Sequence, residues 1–184
     1  MLGHRHAGGG GHDRGGGADI EHLRAAAARA ARVENGRMAA ADGRHIAAHG
    51  GRRAGDFFAL FLANLYDKQR QVLGEYFEED FSKIEPVSVE PGHQAEWTWL
   101  LKGFERITGC PTVRYRGELL ASALRYRDAA TGCLVDEGDA NGNIRRHTRR
   151  LWPQTEIAKA WIAQAEAGEA GAADEARAAL ARLE

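Results

Sequence analysis

Glu90-Pro91-Gly92-His93-Gln94-Ala95-Glu96-Trp97-Thr98-Trp99-Leu100-Leu101 is the stretch whose reading decides the fold. Pro91-Gly92 is a turn signal, and an apolar pattern of helical period starts directly behind it. Trp97, Leu100, Leu101, Phe104 and Thr108 fall at i, i+3, i+4, i+7 and i+11, which is one helix face. His93 and Glu96 lie three apart with Leu100 on their line, so an imidazole and a carboxylate sit at the helix start beside the buried stripe. Burying either group alone is costly, so each needs a partner or a purpose. The spacing by itself favours a histidine satisfied by backbone, with Glu96 placed against the positive end of the helix.

Working downstream, Gly109-Cys110-Pro111 stops this helix, and a second one is expected from about Arg114 to Asp128 with Tyr115, Leu119, Ala123 and Tyr126 on one side. Gly132 to Glu137 reads as extended, and Asn141-Gly142 is a tight-hairpin signal. Asp139-Ala140-Asn141-Gly142-Asn143 is not a calcium loop, because its glycine comes two positions early and no bidentate glutamate follows in register. Pro153 suits the first turn of a helix running to about Ala167, which Gly168 and Gly171 break. Asp174 to Leu183 is a last Ala-rich helix. Upstream, Phe57, Phe58, Phe61, Leu62 and Leu65 form another helix face, closed by the turn Asp67-Lys68-Gln69. Val72 to Phe77 reads as a short strand, and Glu85 to Pro91 as a loop. The pattern is helix, short extended hairpin, helix, repeated, so an all-α architecture of paired helices is expected.

The first third has a different composition. Residues 1–53 hold nine arginines against five acids, twelve of the 23 glycines and six of the eight histidines. Gly8 to Gly11 and Gly15 to Gly17 disfavour order, and Glu21 to Val33 has high helix propensity with almost nothing large to bury. The glycines make no phosphate loop, since no strand precedes them and no Gly-Lys-Ser/Thr follows. The bias is what GC-rich DNA gives when read out of frame, and another frame is then expected to encode an amphipathic helix running into Phe57. The division expected is a low-complexity stretch over residues 1–56 and a folded unit over 57–184.

Several classes are set aside by composition. With a formal net charge of −1, and a remainder carrying sixteen bases against twenty-one acids, no bulk attraction to nucleic acid exists, and no aromatics interleave the arginines for base stacking. The longest apolar run, Phe57 to Leu65, is interrupted by Asn64 and too short for a bilayer. No apolar leader is present, so a soluble cytoplasmic protein is expected. Cys110 and Cys133 match no metal or redox spacing and read as two reduced thiols. Arg145, Arg146, Arg149 and Arg150 with His147 form a basic cluster, either a solvated loop or a phosphate patch.

Trp152, Gln154 and Glu156 flank Pro153 at a helix start. A flat ring for a pyranose face beside amide and carboxylate ends for hydroxyls is the inventory of a sugar site. The Glu90–Leu101 motif, the string Arg150-Leu151-Trp152-Pro153-Gln154-Thr155-Glu156, and Gly74-Glu75-Tyr76-Phe77 with Asp80-Phe81 together resemble the N-acylglucosamine 2-epimerase family in order and spacing, over about Phe57 to Leu183. The resemblance implies an (α/α)6 barrel with a sugar, or a sugar phosphate, at one mouth. It implies a carbohydrate 2-epimerase or aldose–ketose isomerase that moves a proton at C2 without metal or other cofactor. On that comparison His93 is a general acid/base, Glu96 a carboxylate near it, Trp152 the ring stacked on the sugar, and Gln154 and Glu156 further substrate contacts. The family's second catalytic histidine and its N-terminal helices have no counterpart here. A C-terminal-half fragment, a partial barrel, is therefore expected, with turnover lowered by ~10²-fold or more and exposed helix faces prone to self-association. A non-catalytic helical scaffold is the alternative.

Overall fold

The computed structural model describes residues 50–183. The glycine runs, the early histidines and the helix propensity of Glu21 to Val33 lie outside the described residues, as does nearly all of the stretch assigned to a shifted frame. The first described element, α1 (Gly50–Leu60), runs into a single π-helical turn (Phe61–Leu65). The boundary set at residue 56 by composition thus falls inside a helix, because the aromatic face beginning at Phe57 gives the glycine-bearing turn before it something to extend.

Short strands β1 (Tyr66–Asp67) and β2 (Val72–Leu73) follow as an antiparallel pair, with Tyr66 opposite Leu73. Next come β3 (Ser88–Val89), α2 (Pro91–Thr108) and α3 (Val113–Leu124). The hairpin β4 (Glu137–Asp139) and β5 (Ile144–Arg146), then α4 (Leu151–Glu166) and α5 (Ala172–Ala181), complete the described chain. Local signals place most of the helix boundaries. Gly109 closes α2 at φ 73°, and Gly142 turns the β4–β5 hairpin at φ 92°, both in the left-handed region open to glycine.

The molecule is mainly helical but not purely so. Residues 85–91, expected as a loop, contribute β3, which pairs antiparallel with β4 so that Ser88 faces Asp139 and Val89 faces Gly138. The cause is burial: Val87 and Val89 join Val72, Tyr126, Val135 and Ala140 in one cluster, and pairing satisfies the backbone they take with them. Gly138 is required there. A Cβ on it would run into the Tyr126 ring and come within 2.9 Å of the Asn143 carbonyl, while the Tyr126 hydroxyl already donates to the Asp139 carbonyl at 2.5 Å. Gly138→Ala should destabilise the protein by about 2 kcal/mol by overpacking, measured as a lowered urea midpoint.

The described chain consists of two units built alike. Asp67 Oδ1 accepts the backbone N–H groups of Gln69 and Arg70, and Asp128 Oδ1 accepts those of Ala130 and Thr131. Gln71 N–H closes on the Asp67 carbonyl and Gly132 N–H on that of Asp128, both at 2.7 Å and both with positive φ. Gly74 N–H reaches the Leu65 carbonyl as Val135 N–H reaches that of Tyr126. A glutamine from the following helix then grips the leucine of each turn: Gln94 holds Leu73 and Gln154 holds Leu134. Each unit is therefore helix, Asp-headed turn, extended segment, Gln-bearing helix.

The two Gln-bearing helices, α2 and α4, pack on each other; α3 packs on α2 and α5 on α4. Phe61, Leu62, Tyr66, Leu73, Leu101 and Leu119 form one core, and Ala95, Leu120, Ala123, Leu134, Ile157 and Ala160 another. Arg116, 1% exposed, crosses between the helices, its guanidinium donating to the Gln164 amide oxygen and standing 3.6 Å from Glu105.

Candidate active site

The starts of α2 and α4 lie side by side and carry the candidate residues. At the start of α2, Pro91 fills the first helical position, where its missing N–H is no loss. The Glu90 backbone N–H donates to Glu75 Oε1 at 3.0 Å, so a carboxylate from the extended segment caps the helix. The other Glu75 oxygen, Oε2, is 2.7 Å from His93 Nδ1. An ionised carboxylate only accepts, which puts the proton of the neutral ring on Nδ1. Nε2 makes no hydrogen bond among the described residues. The bond to Glu75 raises the His93 pKa above its ordinary value; partial burial opposes this, and the charges of Glu75, Glu90 and Glu96 add to the rise.

Sequence reading paired His93 with Glu96. The structure gives that place to Glu75. Glu96 is half-buried and makes no hydrogen bond among the described residues, and it reaches His93 only through its charge. A second carboxylate oxygen, from Glu90, is 3.9 Å from Nδ1 but is engaged by Arg150 Nη2 at 3.2 Å. The signal that would have found Glu75 is the internal repeat, in which an acid follows the gripped leucine at the same distance in both units: Leu73-Gly74-Glu75 and Leu134-Val135-Asp136.

At the start of α4, Trp152 lies against the α2 start. Its ring centroid is 4.9 Å from that of His93, with the planes tilted by 42°. This contact needs Gly92, since a Cβ there would sit 2.5 Å from Trp152 Cζ3 and 3.1 Å from Pro153 Cβ. The Arg150 guanidinium lies 5.5 Å from the Trp152 ring centre and is held by Asp136, whose Oδ1 is 3.3 Å from Arg150 Nε and also accepts the Arg150 N–H at 2.7 Å. Burial would raise the Asp136 pKa, but hydrogen bonds from Thr148 and Arg150, with the Arg150 charge, hold it below the ordinary carboxylate value.

The remaining two candidates are engaged differently. The buried Gln154 amide accepts the Leu134 N–H at 2.8 Å and donates to the Leu134 carbonyl at 2.8 Å and the Arg150 carbonyl at 3.1 Å. This residue, expected as a sugar contact, clamps backbone with both ends of its amide. Glu156 Oε2 accepts from Trp99 Nε1 at 2.7 Å and faces Lys159 Nζ at 2.6 Å, while that ammonium lies 4.4 Å from the Trp99 ring centre. Trp99 is six residues beyond His93, about 9 Å along the helix axis. The structure thus brings His93 and Trp152 into contact and sets Glu156 deeper, on Trp99, to which the sequence reading gave no role.

The basic cluster is neutralised in place. Arg145 faces Asp139 at 3.8 Å, Arg146 faces Glu137 at 3.5 Å, Arg149 faces Asp128 at 2.6 Å, and Arg150 is shared by Glu90 and Asp136. Among the described residues, no group of three or more His, Cys, Asp or Glu side chains is placed to hold a metal ion, and no helix is long and apolar enough to cross a membrane.

Comparison with known proteins gives the following. The family model described as N-acylglucosamine 2-epimerase (GlcNAc 2-epimerase) matches residues 21–184, so the match reaches upstream of Phe57 into the composition-biased stretch. Among solved structures, a D-mannose isomerase superposes with a TM-score of 0.60 at 18% identity, covering 73% of this chain and 37% of that one. The cellobiose 2-epimerase of Bacillus thermoamylovorans B4167 superposes with a TM-score of 0.56 at 23% identity, covering 72% of this chain and 34% of that one. The chain thus spans about a third of the length of either structure. A search of curated proteins found no match.

Proposed function

Because the chain belongs to the N-acylglucosamine 2-epimerase family, we propose that it carries one proton-transfer station of a sugar 2-epimerase or aldose–ketose isomerase, set in part of an (α/α)6 barrel. The observation that carries this reading is the His93–Trp152 contact, with Nδ1 held by Glu75 and Nε2 without a hydrogen bond among the described residues. Trp152 offers a flat apolar face for a sugar, and the imidazole beside it can take and return a proton near neutral pH. In the open-chain aldose, His93 Nε2 takes the C2 proton, and the C2–H electron pair forms the C1=C2 bond of an enediolate as O1 gains charge. Return of the proton to C2 from the opposite face gives the epimer. Return to C1, with the O2 proton passing to O1, gives the ketose. Either outcome calls for a second acid/base or for solvent. Glu96 has a carboxylate without a hydrogen bond among the described residues, which suits it to a sugar hydroxyl, and Glu156 binds deeper through the oxygen that Trp99 leaves free.

The substrate proposed is a neutral mannose-type sugar. A phosphate group would have to displace an acid from each arginine of the 145–150 segment, and each such exchange gives back most of what it gains. The test is incubation with mannose or N-acetylglucosamine in deuterium oxide, with the C2 proton followed by NMR. Exchange at C2 needs only one base, so it reports on His93 whether or not full turnover follows. Deuterium at C2 of a neutral sugar supports the proposal. Retention of the C2 proton in every sugar at high protein concentration overturns it, and faster exchange in mannose 6-phosphate overturns the neutral-substrate part.

A further inference from the structure

We propose that Glu75 is the positioning residue for His93, with one carboxylate oxygen capping α2 and the other fixing the imidazole so that Nε2 is the working nitrogen. The second unit of the same chain serves as the internal control. Glu75 and Asp136 each stand two residues past the gripped leucine, and their backbones are held alike: Glu75 N–H donates to the Ser88 carbonyl at 3.2 Å and Asp136 N–H to the Thr148 carbonyl at 2.8 Å. Each carboxylate accepts the backbone N–H just ahead of the following helix, that of Glu90 at 3.0 Å and that of Arg150 at 2.7 Å. An aspartate therefore suffices for capping. The second oxygens differ. That of Asp136 accepts the Thr148 hydroxyl at 2.5 Å, while that of Glu75 meets His93 Nδ1 at 2.7 Å. The residue matching His93 in the second unit is Pro153, which offers no side-chain donor. Capping accounts for one oxygen of Glu75, and the extra methylene is what reaches the ring.

Four charged groups surround His93. Glu75 is bonded to it, Glu90 stands 3.9 Å from Nδ1, Glu96 acts by charge alone, and Arg150 engages Glu90. Arg150 thereby leaves Glu75 as the carboxylate hydrogen-bonded to Nδ1. The role in proton transfer rests on the function proposed above; the tautomer and the contact do not.

The test uses Glu75→Asp in the full chain, with His93 assigned in NMR spectra by the signal lost in His93→Gln. The shorter acid should keep the cap and leave the thermal midpoint near that of the wild type. The His93 titration midpoint should fall toward the ordinary histidine value, and C2 exchange should drop about tenfold as the ring loses its fixed orientation. Independently, ring nitrogen shifts of the neutral wild-type protein should show the proton on Nδ1. An unchanged His93 midpoint in Glu75→Asp overturns the proposal, and so does a wild-type ring protonated on Nε2, which decides the matter even if the variant fails to fold. A shifted midpoint in a protein that exchanges no sugar supports the positioning role and overturns the isomerase reading.

Discussion

His93→Gln should slow deuterium exchange at sugar C2 by about 10²–10⁴-fold while leaving the fold intact. The side chain is 40% exposed and belongs to none of the core clusters, so its loss opens little cavity. Glutamine retains an N–H to offer Glu75 but has no group that takes up a proton near neutral pH, so the variant removes the chemistry and keeps the contact. The wild-type profile supplies the second half of the prediction. Because the hydrogen bond to Glu75 lifts the His93 pKa above 6.5, the basic form accumulates only at higher pH, and exchange should rise with pH through a midpoint above the ordinary histidine value. The sign for stability is the reverse. A raised folded pKa gives stability that is fully present below the unfolded value and lost as pH climbs through the folded one. Rate and stability should therefore move in opposite directions across that window, and both trends should vanish in His93→Gln. A variant that keeps the wild-type exchange rate would mean that another base acts.

The parts of this structure that were legible are those whose cause is local. The stripe from Trp97 to Thr108, the stop at Gly109, the turn at Gly142 and the helix carrying Pro153 each have their reason within a few residues, and each is found where expected. What was not legible depends on a partner far along the chain. β3 exists because β4 is there to pair with it, and nothing in Ser88-Val89 announces that partner. Glu75 is 18 residues upstream of His93 on an extended segment, whereas Glu96 shares the histidine's helix and so attracts the assignment. Glu156 and Trp99 are brought together by the packing of α2 on α4. The helical start at Gly50 is a subtler case, since its composition argues against order and the aromatic residues after it supply the order. A motif does not separate a residue that meets a substrate from a residue that holds the backbone behind it.

Gln154 shows that distinction most sharply, and it leads to the largest expected loss of stability. Gln154→Ala should destabilise the protein by about 3 kcal/mol, read as a lower urea midpoint at unchanged slope. The amide takes both polar groups of one residue, Leu134 N–H and C=O, at 2.8 Å each, in a place where Leu134 is 1% exposed. Removing it strands a donor and an acceptor away from water, and each orphan costs about 1–3 kcal/mol, beyond the small loss of packing. A residue that only lined a sugar pocket would behave otherwise, because its truncation would weaken substrate binding and leave the midpoint near its wild-type value. Gln154→Glu separates the two further. A carboxylate can accept the Leu134 N–H but cannot donate to its carbonyl, so the substitution should destabilise as much as alanine or more, although it keeps a group able to bind hydroxyls. The same loss is expected for Gln94→Ala, whose amide grips Leu73 at 2.9 and 3.0 Å with no exposure at all. If both glutamine variants keep wild-type stability, the two-unit construction on which the placement of His93 and Trp152 depends is wrong. If both fall together, the helix starts that carry those residues are fixed by backbone clamps, and the site is positioned before any sugar arrives.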